Sequence, residues 1–184
     1  MTFAAGYCVN IFKRKAISCR NDSLKLSANA LKLQKQANRY ESDISKALRA
    51  QQKDAKASFN SQMTEANLYQ YVLSKQGETF ADLFKNGVID KKYAESSAGQ
   101  SVYNLFIQAV QGARQNLQFK LTECLARYEA EADLAKEEMV EPLKEEAEDM
   151  EIQAGNLKAQ AEAADAAAKS AEQMRDNSIK NIWS

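Results

Sequence analysis

The residues best suited to chemistry in this sequence are carboxylates, and they crowd one short stretch: Glu145, Glu146, Glu148, Asp149 and Glu151. Carboxylates at helical spacing can attract a divalent cation, but calcium sites generally need a loop that wraps the ion. Acid–base work by a carboxylate pair needs a cleft that drives two pKa values apart, and nothing in this stretch suggests one. A solvated helix face is the favoured reading. No histidine occurs, which removes Ser-His and Cys-His nucleophile pairs and His-ligated zinc. The six glycines are scattered at 6, 77, 87, 99, 112 and 155, so no glycine loop is available to cradle a phosphate. Cys8, Cys19 and Cys124 form no C-x-x-C pair. They read as reduced thiols of a protein made in the cytosol. The expectation is no catalytic residue, no metal, no cofactor and no enzymatic activity.

The elements that carry these residues are helical. The chain has 184 residues, one proline and few glycines, which argues against a many-turned β fold. The expected fold class is all-α and elongated, with long helices forming a helical hairpin or coiled-coil-like bundle that assembles as an oligomer. Residues 1–21 read as a short apolar and basic N-terminal segment. Residues 22–77 read as the first long helix, with Asp22 or Ser23 as its N-cap. Its apolar stripe includes Leu33, Ala37, Tyr40, Ile44, Leu48, Ala55, Phe59 and Met63, mostly in steps of three or four. The stripe is interrupted at Gln51-Gln52-Lys53-Asp54, where the helix must be solvated or meet something polar. Residues 78–100 read as a short helix near Thr79–Asn86, stopped at Asn86-Gly87, and then a connecting loop at 87–99. Residues 101–141 read as the second long helix, its stripe running through Leu105 and Phe106 to Met139.

Residues 142–184 form an acidic, alanine-rich heptad helix and a C-terminal plug. The seam comprises Leu143, Ala147, Met150, Ala154, Leu157, Ala161, Ala164 and Ala168, and continues to Ala171. Its steps alternate four and three, which argues for coiled-coil packing. The step of four from Met139 to Leu143 reads as a stutter at Pro142. Alanine buries little apolar area, so this seam needs a partner to persist. Ile179, Ile182 and Trp183 read as a docking plug, with burial in the chain's own bundle as the equal alternative. At the other end, Phe3, Tyr7, Val9, Ile11 and Phe12 precede Lys13, Arg14 and Lys15. A signal peptide would carry its positive charge before the apolar run, and the run is too short to span a bilayer. It is a candidate membrane or partner contact, with a segment packed on the body of the protein or frayed at the terminus as the alternative.

Charge is zero overall but unevenly spread. Residues 1–60 carry 12 basic and 4 acidic side chains, whereas residues 123–184 carry 7 and 16. The two ends can pair as antiparallel helices of one chain or face neighbouring subunits head to tail; the same attraction serves both. Zero net charge argues against a dedicated nucleic-acid binder, and no sequence-specific nucleic-acid binding is expected.

The layout resembles the small internal virion protein of T7-like short-tailed phages, the core protein ejected with the DNA. The likeness covers about residues 1–135. It rests on the short apolar opening and on the helix containing Ala28-Asn-Ala-Leu-Lys-Leu-Gln-Lys-Gln-Ala-Asn-Arg39. It also rests on the turn Ser96-Ser-Ala-Gly-Gln-Ser-Val102 and on Gln111-Gly-Ala-Arg-Gln-Asn116. The resemblance implies a structural protein packed in the capsid core near the portal and ejected at infection. There it helps form a DNA-translocation conduit across the host envelope. Implied partners are copies of itself, other internal virion proteins, the portal and the host membrane. Implied locations are the virion interior and then the host cell envelope. The alternative is a soluble coiled-coil adaptor or structural subunit of a secretion or motility assembly.

Overall fold

A computed structural model of the chain describes the backbone of residues 2–183 and the side chains of residues 6–180. The fold is all-α, with 91% of the chain helical. In chain order it comprises α1 (Thr2–Gln62), α2 (Glu65–Gln76), a 3-10 turn (Ala81–Leu83), β1 (Phe84–Lys85), β2 (Val88–Ile89), α3 (Lys91–Ala94), α4 (Ser97–Met139) and α5 (Glu141–Trp183). These elements form two compact units, one of Met1–Asp43 with Ala135–Ser184 and one of Ile44–Leu134.

The first unit is an arm made chiefly of the first two thirds of α1 and of α5. Lys13 Nζ lies 2.6 Å from Glu172, and Arg20 pairs with Asp165. Gln34 Nε2 donates to Glu151 Oε1 at 3.0 Å, and Lys144 Nζ lies 3.7 Å from Glu41. Partner numbers fall by seven or fourteen as the α1 numbers rise by the same amount. The two helices therefore run antiparallel in heptad register.

The seam between them is built from small residues at every seventh position. On α1, Val9, Ala16, Ala30 and Ala37 are buried and Ser23 is half-buried. Facing them are Val140, Ala147, Ala154, Ala161 and Ala168, all buried. Larger side chains flank these rows, among them Phe12, Leu26, Leu33 and Tyr40 on α1, and Leu143, Met150 and Leu157 on α5, all half-buried. Ser23 Oγ donates to the main-chain oxygen of Ala154 at 2.8 Å. A side chain only two heavy atoms long can reach the opposite backbone only if the helices approach closely.

Three details of the arm differ from the sequence expectation. Helix α1 begins at Thr2 and passes through Asp22 and Ser23, so neither caps a helix and residues 1–21 are not a separate segment. The row Val9, Ala16, Ser23, Ala30 keeps its period across that point, and packing on α5 carries the helix through. Met139 is exposed, and Val140 occupies the seam. The step from Val140 to Leu143 is then the three the heptad requires, and no stutter falls at the proline. Pro142 sits in the first turn of α5, where its missing N–H has no intrahelical partner to lose.

The second unit centres on one ring. Phe106 is fully buried and meets Tyr69, Phe80 and Phe84 edge-on, with centroids 5.0, 5.2 and 5.1 Å away. Leu68, Val72, Leu83 and Val110 complete the buried cluster. Helix α1 ends at Gln62; Asn67 Nδ2 donates to the oxygen of Ser61 at 2.6 Å, and Thr64 Oγ1 donates to the same oxygen at 3.2 Å. Gln52, in the polar interruption of the α1 stripe, donates to Glu129 at 3.1 Å. Leu105 points to solvent.

Residues 79–86 do not form the expected helix. Phe84 pairs with Ile89 and Lys85 with Val88, antiparallel. Asn86 and Gly87 form the two-residue turn with φ of 51° and 79°, the left-handed pair that a tight hairpin demands. The expected loop also holds structure. Asp90 caps α3, accepting from Lys92 N and Tyr93 N at 3.0 and 3.3 Å. Ser96 caps α4, its Oγ accepting from Gly99 N at 3.0 Å. A Cβ on Gly99 would stand 1.8 Å from the oxygen of Tyr93, so only glycine permits this junction.

Two outcomes follow from this packing. Ala161→Glu places a charge in the closed seam and is expected to cost the arm about 2–4 kcal/mol, read by urea unfolding. Ala163→Glu, on the exposed side, should stay within about 0.5 kcal/mol; equal effects would remove the seam assignment. Phe106→Ala empties the centre of the second unit and should cost about 3–5 kcal/mol. Hydrogen exchange would locate the loss between Ile44 and Leu134 and leave the arm's amides protected.

Candidate interaction surfaces

The side chains singled out by sequence fall into different environments. In the N-terminal group, Val9 is buried and Phe12 half-buried in the arm's seam, whereas Tyr7 and Ile11 are exposed. While the arm is closed, Tyr7 and Ile11 remain free to meet a partner. The side chain of Phe3 lies outside the described residues. In the proposed plug, Ile179 is partly exposed, at 40%, and the side chains of Ile182 and Trp183 lie outside the described residues. The seam residues Ala147, Ala154, Ala161, Ala164 and Ala168 are buried; Leu143, Met150 and Leu157 are half-buried.

The carboxylate stretch lies on the outer faces of α5. Glu145, Glu146, Glu148 and Asp149 are exposed, and Glu151 is exposed and accepts from Gln34. Among the described residues, no group of histidine, cysteine or carboxylate side chains is placed to hold a metal ion. The three cysteines are free thiols, with only Cys19 buried.

Two surfaces were not anticipated. The first is on α1, where Ile17, Leu24 and Leu31 are 56%, 69% and 50% exposed. They recur every seven residues on a face other than the seam. Their signal was present in the sequence as a second heptad, hidden because it shares its period with the first. The second is a groove of about 630 Å³ in the Ile44–Leu134 unit. The hairpin forms one wall with Phe84, Val88 and Ile89, Tyr69 and Tyr103 supply aromatic surface, and Lys91 and Glu95 supply charge. This size and mixture suit a small apolar group with a polar end. Sequence reading misses the groove because it needs the hairpin, and the hairpin's cue, Asn86-Gly87, also fits a helix stop.

Two groups of this unit have shifted pKa values: Tyr69, which lines the groove, and Asp90, the cap of α3. Tyr69 donates to the Glu65 carboxylate one helical turn away. That hydrogen bond, aided by partial burial and the negative charge, pushes the phenol up to about 12. Asp90 is held below its ordinary value, chiefly by the Tyr93 N–H it accepts from, with Lys85 and the Lys92 N–H adding to the effect.

No known protein family, no curated protein and no solved structure matches this chain. The class rests on the fold itself: an all-α protein of long helices, with an antiparallel two-helix arm and a hairpin-bearing helical unit.

The Tyr69 pair gives a direct check. The raised value means the bond to Glu65 stabilises the fold fully below pH 10, and that contribution is lost as pH rises through about 12. Absorbance titration, taken as the difference from Tyr69→Phe, should place this phenol's midpoint near 12. Glu65→Ala should return it towards 10. A midpoint near 10 in the unaltered protein would disprove the pair.

Proposed function

We propose that this chain is a structural internal virion protein of a short-tailed phage, packed as a homo-oligomer in the capsid core near the portal. On this reading it is ejected at infection and helps form a conduit for DNA across the host envelope. It works without catalysis, through helix contacts with copies of itself, other internal proteins and the portal.

The observation that supports this reading is the construction of the arm. Two helices of about 40 residues are held by an alanine-row seam and a few exposed ion pairs. Exposed pairs contribute only about 0–1 kcal/mol each, and alanine contributes little area. Free thiols leave no covalent staple among the described residues. Such an arm opens at modest cost and reforms from regular, repetitive contacts, which suits a protein that must pass through a channel narrower than its folded width.

A second reading, a soluble coiled-coil adaptor, is favoured by one observation. Val9 and Phe12 are held in the seam, and no helix among the described residues is long and apolar enough to cross a membrane. A membrane step therefore requires the arm to open or the chain to act through surfaces such as Tyr7 and Ile11.

Liposome flotation of the purified protein, with entrapped dye and light-scattering mass, separates the two. The ejection reading expects flotation, dye release and a jump in mass. A protein that stays at the bottom with unchanged mass removes the membrane step and leaves the adaptor as the better account.

A further inference from the structure

Every Lys and Arg between residues 24 and 62 stands in one row on helix α1. The first four are Lys25, Lys32, Lys35 and Arg39, and the next four are Lys46, Arg49, Lys53 and Lys56. Successive members are three, four or seven residues apart. At about 100° per residue, each group of four spans roughly 80° of the helix circumference. All eight side chains are exposed. The acidic residues of the same stretch, Glu41, Asp43 and Asp54, take none of these positions, and Ala28 and Ser42 fill the gaps in the row.

The groups fall one in each compact unit, so each forms a surface of its own. In the arm, the first group stands on the side of α1 away from the buried Ala30 and Ala37, and so away from α5. In the second unit, the other group stands away from the half-buried Ile44, Leu48, Ala55 and Phe59. Lys32, Lys35 and Arg39, with Gln36, border a shallow cleft of about 300 Å³. Lys25 lies 3.5 Å from Asp22 at the edge of the row. The cations that hold α1 against α5, Lys13 and Arg20, lie outside it.

Charge sums to zero over the chain, but the sum hides this separation. In the arm, the body of α1 stands between the first group and the carboxylates of α5. A helix is about 10–12 Å across, which exceeds the screening length of about 8 Å at physiological ionic strength. The outer face of α1 therefore presents a positive field of its own.

We propose that this face of α1 binds the phosphate backbone of duplex DNA without reading its sequence. Duplex DNA carries one charge per about 1.7 Å of its axis. Each group offers one cation per about 5–7 Å of helix, so every cation has a phosphate within reach. Arg39 and Arg49 can each grip a phosphate through two parallel N–H bonds. The row holds no aromatic ring on which unpaired bases would stack, and no large apolar side chain to enter a bilayer. The aliphatic residues Ile17, Leu24 and Leu31 lie to one side and end where the dense part of the row begins. This goes beyond the proposed function and needs neither a virion, a membrane nor an oligomer.

The test is fluorescence anisotropy of two short duplexes of unrelated sequence and a single strand of the same length, titrated with the full chain over a salt series. The wild type should bind both duplexes equally, with a Kd of about 10⁻⁶–10⁻⁴ M at physiological salt. Lys32→Glu with Lys35→Glu and Arg39→Glu should weaken binding about tenfold or more at low salt. The same variant should flatten the slope of log K against log salt by about 3. Arg49→Glu with Lys53→Glu and Lys56→Glu should act alike from the second unit. A control, Lys92→Glu with Lys120→Glu and Lys169→Glu, makes the same change of net charge at exposed positions elsewhere and should stay within about threefold of the wild type. Circular dichroism should show unchanged helix content throughout, since every altered side chain is exposed. Equal losses in the control and the row variants overturn the surface, and so does a single strand bound more tightly than the duplexes. A wild type that ignores DNA overturns it too. If that wild type instead floats with phosphatidylserine vesicles and the row variants do not, the row serves an anionic lipid surface.

Discussion

How near two helices can come depends on the smallest side chains at their contact, and the arm depends on that distance. Ala16, Ala30 and Ala37 on α1 oppose Ala147, Ala154, Ala161 and Ala168 on α5, so backbones rather than side chains set the separation. The Ser23 hydroxyl reaching the Ala154 carbonyl is direct proof of the approach. A close approach compensates in dispersion contacts for some of the area that alanine lacks. It also explains why the flanking rows carry Phe12, Leu26, Leu33, Leu143, Met150 and Leu157: once the axes are close, larger side chains must lie beside the contact line. Outer faces are then left free of any duty to the seam, which is how α1 can carry a second aliphatic row.

The Ile44–Leu134 unit solves the opposite problem. It gathers the short elements between Glu65 and Ala94 against the long helix α4, and it does so on large rings. Phe106 can hold Tyr69, Phe80 and Phe84 together because the three edge-on contacts come from α2, from the turn that follows it and from β1. Each such contact adds about 0.5–1.5 kcal/mol beyond area burial. The hairpin of four paired residues would not persist alone; Phe84 and Ile89, packed against the buried cluster, tie it down. Local caps do the rest: Asp90 starts α3, and Ser96 starts α4 against a carbonyl that leaves room only for Gly99. The groove beside Tyr69 exists because the hairpin stands out from this cluster.

What sequence reasoning could and could not see follows from the range of each signal. Heptad spacing is repeated many times, so the α5 row from Leu143 to Ala171 and the α1 stripe beyond Leu33 were readable as helix faces. Single residues were weaker guides. Asp22 and Ser23 have cap chemistry, but a seam that runs through them outweighs a cap worth about 1 kcal/mol. Met139 and its neighbour Val140 are both apolar and differ chiefly in size, and the identity of the seam residue was decided by helix phase after Pro142. Asn86-Gly87 fits both a helix stop and a two-residue hairpin turn; the choice rested on the four flanking residues pairing, a contact that no local window contains. For interaction surfaces, burial was the missing quantity. Val9 and Ile11 look alike in sequence, yet one is in the seam and the other faces solvent.

An alanine row repeated every seven residues carries a hazard, because a slip of seven places alanine on alanine again and costs the seam little. Register must then come from elsewhere. The flanking charged row supplies it. In the observed register, Lys13 faces Glu172, Arg20 faces Asp165, Gln34 faces Glu151 and Glu41 faces Lys144. Sliding α5 by seven in one direction would set Arg20 against Lys158; sliding it in the other would set Glu41 against Glu151. Each slip keeps one attractive pair, Lys13 with Asp165 or Arg20 with Glu172, but loses the other attractions and adds repulsion on an otherwise tolerant interface. Each exposed pair is worth little in stability, but discrimination needs only a difference between registers, and attraction lost plus repulsion gained count together. The uneven flanking rows add to it, since Leu143, Met150 and Leu157 give way to Ala164 and Ala171 along α5. The charge asymmetry between the two ends of the chain is therefore first a device for holding one antiparallel register, and the orientation of α1 against α5 follows from which ends carry which sign.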